Sequence, residues 1–359
     1  MSNALNIFSR SPLTLTINDV DQEKTQVKLY IVAGNGTLPA SPNYTLSKLI
    51  PSSNNPATYY NIAPYLNEFI NPKEPQNPTG LENLNTNMFC KYEYNKYVYF
   101  SASGTTPDES AGFGIGYAFK GYTKHEEGYN YDYLTNVLLD EGTYYYLPNG
   151  TYQGELVLTA NSDYSEAYAV RYTDLVTGDT YTLACNNNNI RCVPKIHDDY
   201  NTNGNKVEVV EDSEGEIVIK TFYFRPITEC KYEPYRVDFI DKFGVWNFLW
   251  FFKASNESIS VESKDYNLMQ SSVNYDPVDG VKKEFNKNGQ RSFKVNSGWV
   301  EEETKLLIEE LFLSERVLLN GLPAILKTKS TELFKHINTN QINYQLEFDL
   351  ANPIINTLV

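Results

Sequence analysis

Apolar and polar residues alternate in short runs along most of the chain, which is typical of half-buried β-strands. Clear runs occupy residues 13–17, 27–32 and 217–224, and Gly- and Asn-containing turns such as residues 34–36 and 203–205 separate such runs. Short strands at regular spacing indicate sandwich or barrel domains. The sequence therefore predicts a mainly β fold of β-sandwich or barrel-like domains, with one amphipathic α-helix in a C-terminal α+β module.

That helix is predicted over residues 300–313, where Val300, Ile308 and Phe312 recur at helical spacing. Three glutamates at 301–303 would lie in its first turn, where the helix dipole favours negative charge. The pair Asn320-Gly321 then predicts a hairpin turn. Residues 263–289 form a long polar stretch for which no element is predicted.

A length of 359 residues favours two or three domains. The distribution of turn- and loop-forming residues predicts four segments. They are an N-terminal β-sandwich (1–72), a Pro- and Asn-rich linker (73–87), a central β domain (88–227) and a C-terminal α+β assembly domain (228–359).

An aromatic hairpin stands out at residues 237–252. Alternation places Trp246, Phe248, Trp250 and Phe252 on one face, and the opposite face is also largely apolar. A strand that is apolar on both faces is typical of burial on both sides. Core is the favoured interpretation, a subunit interface the second and a sugar platform the third; as a buried aromatic, Trp250 replaced by alanine should cost roughly 3–5 kcal/mol.

The net charge of -15 and the absence of any basic run argue against a nucleic-acid groove. No apolar stretch is long enough to span a bilayer, and the first residues lack the features of a secretory signal. We therefore expect neither nucleic acid nor membrane as a partner. The 29 tyrosines suit pleated surfaces and interfaces.

No catalytic motif stands out. The three histidines, His125, His197 and His336, lack zinc-ligand spacing, and no nucleophile elbow is present. The glycines of residues 112–116 follow neither phosphate-loop pattern and fit a strand face that another surface approaches closely. The expectation is a protein that is not an enzyme and has no catalytic residue, cofactor or metal.

Two local alternatives stay open at this point. The segment from Asp199 to Gly204 matches the first half of a calcium loop, although a plain turn is the favoured interpretation because position 12 is Val210. Cys185 and Cys192 flank an asparagine-rich tip and could pair across a hairpin, although free thiols are favoured.

Several segments resemble structural proteins from the tail region of tailed bacteriophages infecting Bacteroidota, a group that includes crAss-like phages. The segments are residues 10–12, 27–32 and 62–66 near the start, and 243–246 with 251–252, 295–300 (which include Trp299), 311–315 and 342–348 near the end. The resemblance covers about the first 70 and last 130 residues by the extent of these fold-level motifs. It implies a virion component of the tail, baseplate or connector, made in the host cytoplasm, which forms homo-oligomeric rings or sleeves with other virion tail proteins. Trp299 joins the aromatic hairpin as an interface or core candidate.

Two other hypotheses compete with a structural role. The central β domain could be a binding unit for a receptor or glycan, with the termini as anchors, which the tyrosine content motivates. A glycan-degrading enzyme is motivated only by abundant carboxylates, whose sequence adjacency does not provide the cleft geometry that such enzymes need.

Overall fold

A computed structural model describes residues 5–50, 56–128, 137–148, 154–159, 168–185, 190–211, 217–269, 278, 280–301, 303–330 and 341–356. The chain divides into two compact units. The first comprises residues 1–228 and 240–247, and the second comprises residues 229–239 and 248–359. Strands dominate both units, so the predicted mainly β fold is confirmed.

The first unit contains fifteen strands among its described residues. They are β1 (Leu5–Phe8), β2 (Thr14–Ile17), β3 (Lys24–Ala33), β4 (Tyr44–Leu49), β5 (Thr58–Asn61), β6 (Glu82–Asn83), β7 (Phe89–Tyr99), β8 (Glu109–Phe119), β9 (Gly142–Tyr146), β10 (Glu155–Leu158), β11 (Tyr168–Asp174), β12 (Thr180–Cys185), β13 (Arg191–Pro194), β14 (Asn205–Glu211) and β15 (Ile217–Pro226). One short helix, α1 (Ala63–Asn67), has a proline in its first turn, where the missing amide proton costs little.

The first sheet has the strand order β1-β8-β7-β3-β4, and β2 pairs with β5 in a separate ribbon. Strand β3 alternates between half-buried and buried positions up to Val32. Its inward residues Val27, Leu29 and Ile31 pack with Leu66 of α1. Because β7 pairs with β3 over ten residue pairs, the sheet crosses the domain boundary predicted at residues 73–87. The N-terminal sandwich thus extends to Phe119.

Two further sheets complete the first unit. One has the order β10-β13-β6, and the other has the order β12-β11-β14-β15-β9. Strand β6 lies within the predicted linker, and Leu84 and Met88 beside it are buried. The segment 73–87, predicted to be a linker, therefore contributes a strand to a sheet.

The second unit holds most of a seven-stranded sheet with the order β17-β16-β20-β21-β22-β19-β18. Its strands are β16 (Tyr235–Ile240), β17 (Trp246–Phe251), β18 (Asn256–Asn267), β19 (Lys282–Glu301), β20 (Val317–Leu319), β21 (Leu322–Leu326) and β22 (Gln341–Leu350). Helix α2 (Thr304–Leu313) contributes Ile308 and Leu311 to the core of this unit.

Two expectations about the second unit differ from the structure, and a third agrees with it. The helix begins at Thr304, because β19 runs through Val300 to Glu301 and keeps those residues extended. The polar stretch at 263–289 contributes to β18, which is exposed on both faces, and to the largely exposed first part of β19. This exposure hides the alternation that would reveal the two strands. The Asn320-Gly321 hairpin is confirmed, since both residues have positive φ and β20 pairs with β21 across them.

Candidate functional site

Four buried polar side chains meet inside the first unit around Lys195, which directly follows β13. Glu155, Lys195, Asp241 and Asn247 are each 1% exposed. The Lys195 ammonium Nζ donates a hydrogen bond of 2.9 Å to Asn247 Oδ1 and lies 3.5 Å from the Trp246 carbonyl oxygen. The backbone at Lys195 is fixed as well, because its carbonyl accepts a hydrogen bond from the Asn205 side chain at 3.1 Å. We call these four residues the lysine cluster.

The two carboxyl groups of the lysine cluster are held by backbone amides. Glu155 Oε2 accepts a hydrogen bond of 3.0 Å from the Gln76 amide, and the Trp246 amide also donates to the carboxyl group. Asp241 Oδ1 accepts from the amides of Phe243 and Val245 at 2.9 and 3.2 Å, which closes the turn between β16 and β17. Within the described residues, Glu155 Oε1 and Asp241 Oδ2 have no hydrogen-bond partner.

Burial dominates the ionisation of both carboxyl groups. It raises the pKa of Glu155 to about 8 and the pKa of Asp241 to about 7, against an opposing effect of the nearby Lys195 charge. Removing a carboxylate from water is costly, so each group retains its proton far above the usual range. Perturbed, buried carboxyl groups beside a lysine are an arrangement that can transfer protons.

The turn that carries Asp241 is built into the first unit by close backbone packing. Gly244 has a φ of 82°, and a Cβ atom added there would lie 2.5 Å from the backbone nitrogens of Lys120 and Gly121. The Tyr122 amide donates to the Lys242 carbonyl at 2.8 Å, and Lys242 forms an ion pair of 2.6 Å with Asp140. The turn is therefore fixed on the same unit as Lys195 and Glu155.

The aromatic candidates divide by burial. Trp246, Phe248 and Phe252 are buried, as the core interpretation requires. Trp250 is only half-buried and stacks on Phe252 at 6.2 Å between ring centroids, so the expectation of a fully buried Trp250 is wrong.

Trp299 is 70% exposed, which excludes the core interpretation for that residue. A β-bulge between Asn296 and Trp299, with Gly298 at a φ of 74°, interrupts the alternation of β19 just before it. An interface role for Trp299 stays a prediction.

The glycine row of β8 is explained by packing. Gly114 lies opposite Tyr94 on β7, and a Cβ atom at Gly114 would lie 2.6 Å from the Tyr94 ring. Gly116 lies opposite Tyr92, which stacks with Tyr94. The surface that approaches Gly114 closely is thus the Tyr94 ring from the neighbouring strand.

The segment from Asp199 to Gly204 forms a hydrogen-bonded turn in which the Gly204 amide donates to the Tyr200 carbonyl at 2.8 Å. The Asn203 side chain donates to Asp174 instead of pointing toward a common centre with Asp199. Across the described ranges, no group of three or more His, Cys, Asp or Glu side chains is arranged to hold a metal ion.

All four cysteines are free, with Cys90, Cys185 and Cys192 buried and Cys230 exposed. Cys185 and Cys192 therefore do not form the alternative disulfide. The asparagine-rich tip between them lies outside the described residues, as does His336.

The second unit exposes a long hairpin made of β18 and part of β19. Strand β18 is the outermost strand of its sheet, and all 12 of its residues are exposed. Ion pairs join the side chains of β18 to those of β19, including Arg291 with Glu257 at 3.6 Å and Lys282 with Asp265. Charged side chains on an edge strand protect it from non-specific pairing with other chains.

Aliphatic side chains lie among these charges on one face of the hairpin. Ile259 and Val261 are 57% and 61% exposed and pair with Arg291 and Gly289. The chain after β22 returns over the same place, since the Ile354 amide donates to the Gly289 carbonyl at 2.8 Å. We call the exposed residues Ile259, Val261, Leu322 and Ile354 the aliphatic patch.

The aliphatic patch borders a shallow cavity of about 230 Å³. It is lined by Arg291, Leu322, Pro323, Leu350, Asn352, Pro353 and Ile354. Exposed apolar surface that adjoins an edge strand is a feature of protein interaction sites.

Sequence reasoning missed both the lysine cluster and the aliphatic patch. Lys195, Glu155 and Asn247 are separated by long stretches of chain, and no pattern of spacing joins them. The only signal for the patch was the pair Ile259 and Val261 at alternate positions before a polar stretch.

Comparison with known proteins adds little. Neither the family models nor the curated proteins give a match. Among solved structures, Drosophila OTK, extracellular domains 3-5, is similar over 82% of this chain and 89% of that chain at 8% identity, with a TM-score of 0.21. A similarity of that size carries no argument about fold or function. Among the described helices, none is long and apolar enough to cross a bilayer.

Proposed function

We propose that the protein is a structural, non-enzymatic component of a phage virion tail, in a tail, baseplate or connector ring or sleeve, and that it acts by homo-oligomerisation. The observation that carries the assembly role is the fully exposed edge strand β18 with the aliphatic patch beside it. The assignment to a phage tail rests on the sequence resemblance of the first and last segments.

An unpaired edge strand offers backbone amides and carbonyls to a strand of another molecule, and neighbouring aliphatic side chains supply apolar contact. Full burial of one isoleucine or valine side chain contributes about 1.5–3 kcal/mol. Several copies placed around a tail axis would use the same contact repeatedly, so a modest interface energy is multiplied in a closed ring.

The oligomeric state tests this proposal. Light scattering and electron microscopy of the purified chain should show rings or higher oligomers that the double substitution Ile259→Lys and Val261→Lys reduces to monomers. The matched control is Val176→Lys, which places the same charge at an exposed valine on a turn of the first unit and should leave assembly unchanged. A wild-type chain that stays monomeric at high concentration would contradict the assembly role.

Mass spectrometry of purified virions tests the tail assignment separately. The protein should be found in intact particles and enriched in isolated tails. Its absence from intact particles would refute the virion assignment while leaving the oligomerisation result standing.

A receptor- or glycan-binding role is the second candidate, and an exposed aromatic ring in the central region favours it. Tyr181 is partly exposed and packs on His197 at 4.5 Å between ring centroids, with Asp199 3.8 Å from the histidine Nδ1. Sugars stack on such rings and hydrogen-bond to neighbouring polar groups. Glycan-array binding that Tyr181→Ala abolishes would support this role, and binding that the substitution leaves unchanged would contradict it.

A further inference from the structure

Within the lysine cluster, the amine of Lys195 is held against the side-chain amide of Asn247. The 2.9 Å contact joins Nζ to Oδ1, and the amide carbon Cγ is one bond further. Fixed contact between two reactive groups replaces a bimolecular encounter and can supply a large part of a reaction barrier. Trp246, Val193 and Ile196 around them are buried, so the cluster is screened from bulk water.

A carboxyl group able to move protons lies at the same place. Glu155 accepts a hydrogen bond from the backbone amide of Trp246, the residue that precedes Asn247, and Lys195 lies close enough to influence its ionisation. Burial raises the pKa of Glu155 to about 8, so at neutral pH the group can both donate and take back a proton. The Lys195 charge also acts on Asp241: burial raises the pKa of that carboxyl group, and the lysine charge opposes the rise. The Oδ1 atom of Asp241, however, already accepts hydrogen bonds from the two turn amides.

We propose that Lys195 and Asn247 become joined by a side-chain amide bond, with Glu155 as the residue that transfers the protons. This site is independent of the assembly role, because it lies in the first unit and requires only this chain.

The reaction balances without an oxidant, a reductant or a co-reactant. Transfer of a proton from the Lys195 ammonium to the Glu155 carboxylate leaves a neutral amine and a neutral acid. The Nζ lone pair attacks Asn247 Cγ while Glu155 protonates Oδ1, and Glu155 then takes a proton from Nζ. The Cγ–Nδ2 bond breaks, Nδ2 leaves as ammonia with a proton delivered by Glu155, and the Oδ1 proton returns to Glu155.

The alternative is a lysine that is merely buried and hydrogen-bonded, and the mass of the intact protein separates the two. Loss of ammonia lowers the mass by about 17 Da relative to the sequence, as a covalent modification must. Trypsin should leave the chain uncut after Lys195, and fragmentation should yield one branched peptide joining Lys195 to Asn247. A wild-type chain of full sequence mass, with only linear peptides at both residues, would overturn the proposal whether or not any variant folds.

Variants identify the reacting groups. Asn247→Asp should lose water, about 18 Da, and give the same product as the wild type. Lys195→Arg should show no loss of mass. Glu155→Gln should slow the loss of ammonia at least tenfold, and an unchanged rate of that loss would exclude Glu155 as the proton carrier.

Lys220→Arg is the matched control, because Lys220 is also a largely enclosed lysine of the first unit but donates to the backbone carbonyls of Val137 and Leu139. This variant should retain the mass deficit. A branched peptide that joins Lys195 to Asp241 would instead refute the assignment of Asn247.

Discussion

Replacing Glu155 by glutamine should remove a large pH dependence from the stability of the first unit. The pKa of this carboxyl group rises from 4.5 to about 8 in the folded chain because the side chain is buried, against the opposing effects of the Gln76 amide and of Lys195. At about 1.4 kcal/mol for each unit of pKa, the full difference corresponds to roughly 5 kcal/mol. Glutamine keeps the size and the amide-accepting oxygen of the side chain but cannot ionise.

The sign follows from proton binding. The unfolded chain loses this proton near its ordinary pKa of 4.5, whereas the folded chain retains it up to about 8. Between those values the folded state binds more protons, so the free energy of unfolding decreases as the pH rises. The contribution of Glu155 is fully present below 4.5 and is lost as the pH passes through 8. Asp241 acts in the same direction and is present in both proteins.

Urea unfolding of both proteins between about pH 5 and pH 8 measures this effect. The stability of the wild type minus that of Glu155→Gln should fall by about 1 kcal/mol per pH unit over that range. Glu208→Gln is the control: burial opposes ionisation of Glu208, but hydrogen bonds from Lys206 and Arg171 prevail and lower its pKa, so its contribution is constant there. A difference between wild type and Glu155→Gln that does not change with pH would refute the reasoning.

Three other predictions concern packing and thiols. Gly244→Ala should destabilise the first unit by about 2 kcal/mol or more in urea unfolding, because its positive φ and the adjacent backbone leave no space for a Cβ atom; a wild-type midpoint would contradict the packing. Trp246→Ala should cost about 3–5 kcal/mol and Trp250→Ala clearly less, since only Trp246 is fully buried; equal losses would contradict the burial difference. Iodoacetamide should label exposed Cys230 in the native protein but not Cys90, whose pKa burial raises to about 12; rapid labelling of Cys90 would contradict its burial.

The strand pattern of the sequence was informative where one face of a strand is buried and the other is half-buried. Strand β3 alternates in the structure as it does in the sequence, and Asn320-Gly321 forms the expected hairpin turn. Alternation fails for β18 because both of its faces are exposed, so its polar residues carry no period. A strand can therefore be predicted from local sequence when burial of one of its faces requires apolar residues at alternate positions.

Partnerships between distant strands were beyond the sequence. The prolines of residues 73–87 indicated a domain boundary, but the pairing of β7 with β3 is set by long-range contacts that no local pattern encodes. The lysine cluster was missed for the same reason, since a buried lysine beside a buried glutamate resembles ordinary surface charges in a sequence. Burial, which no residue reveals alone, is what makes Lys195 and Glu155 chemically unusual.

The parallel pairing of β1 with β8 has a consequence for the order of folding. Residues 5–8 pair with residues 116–119, so the outer strand of the first sheet cannot dock until more than a hundred later residues have left the ribosome. Strands β3 and β4, by contrast, can pair soon after synthesis. The apolar side chains of Ile7 and Phe8, buried in the folded chain, therefore remain without their packing partners until β8 has been synthesised.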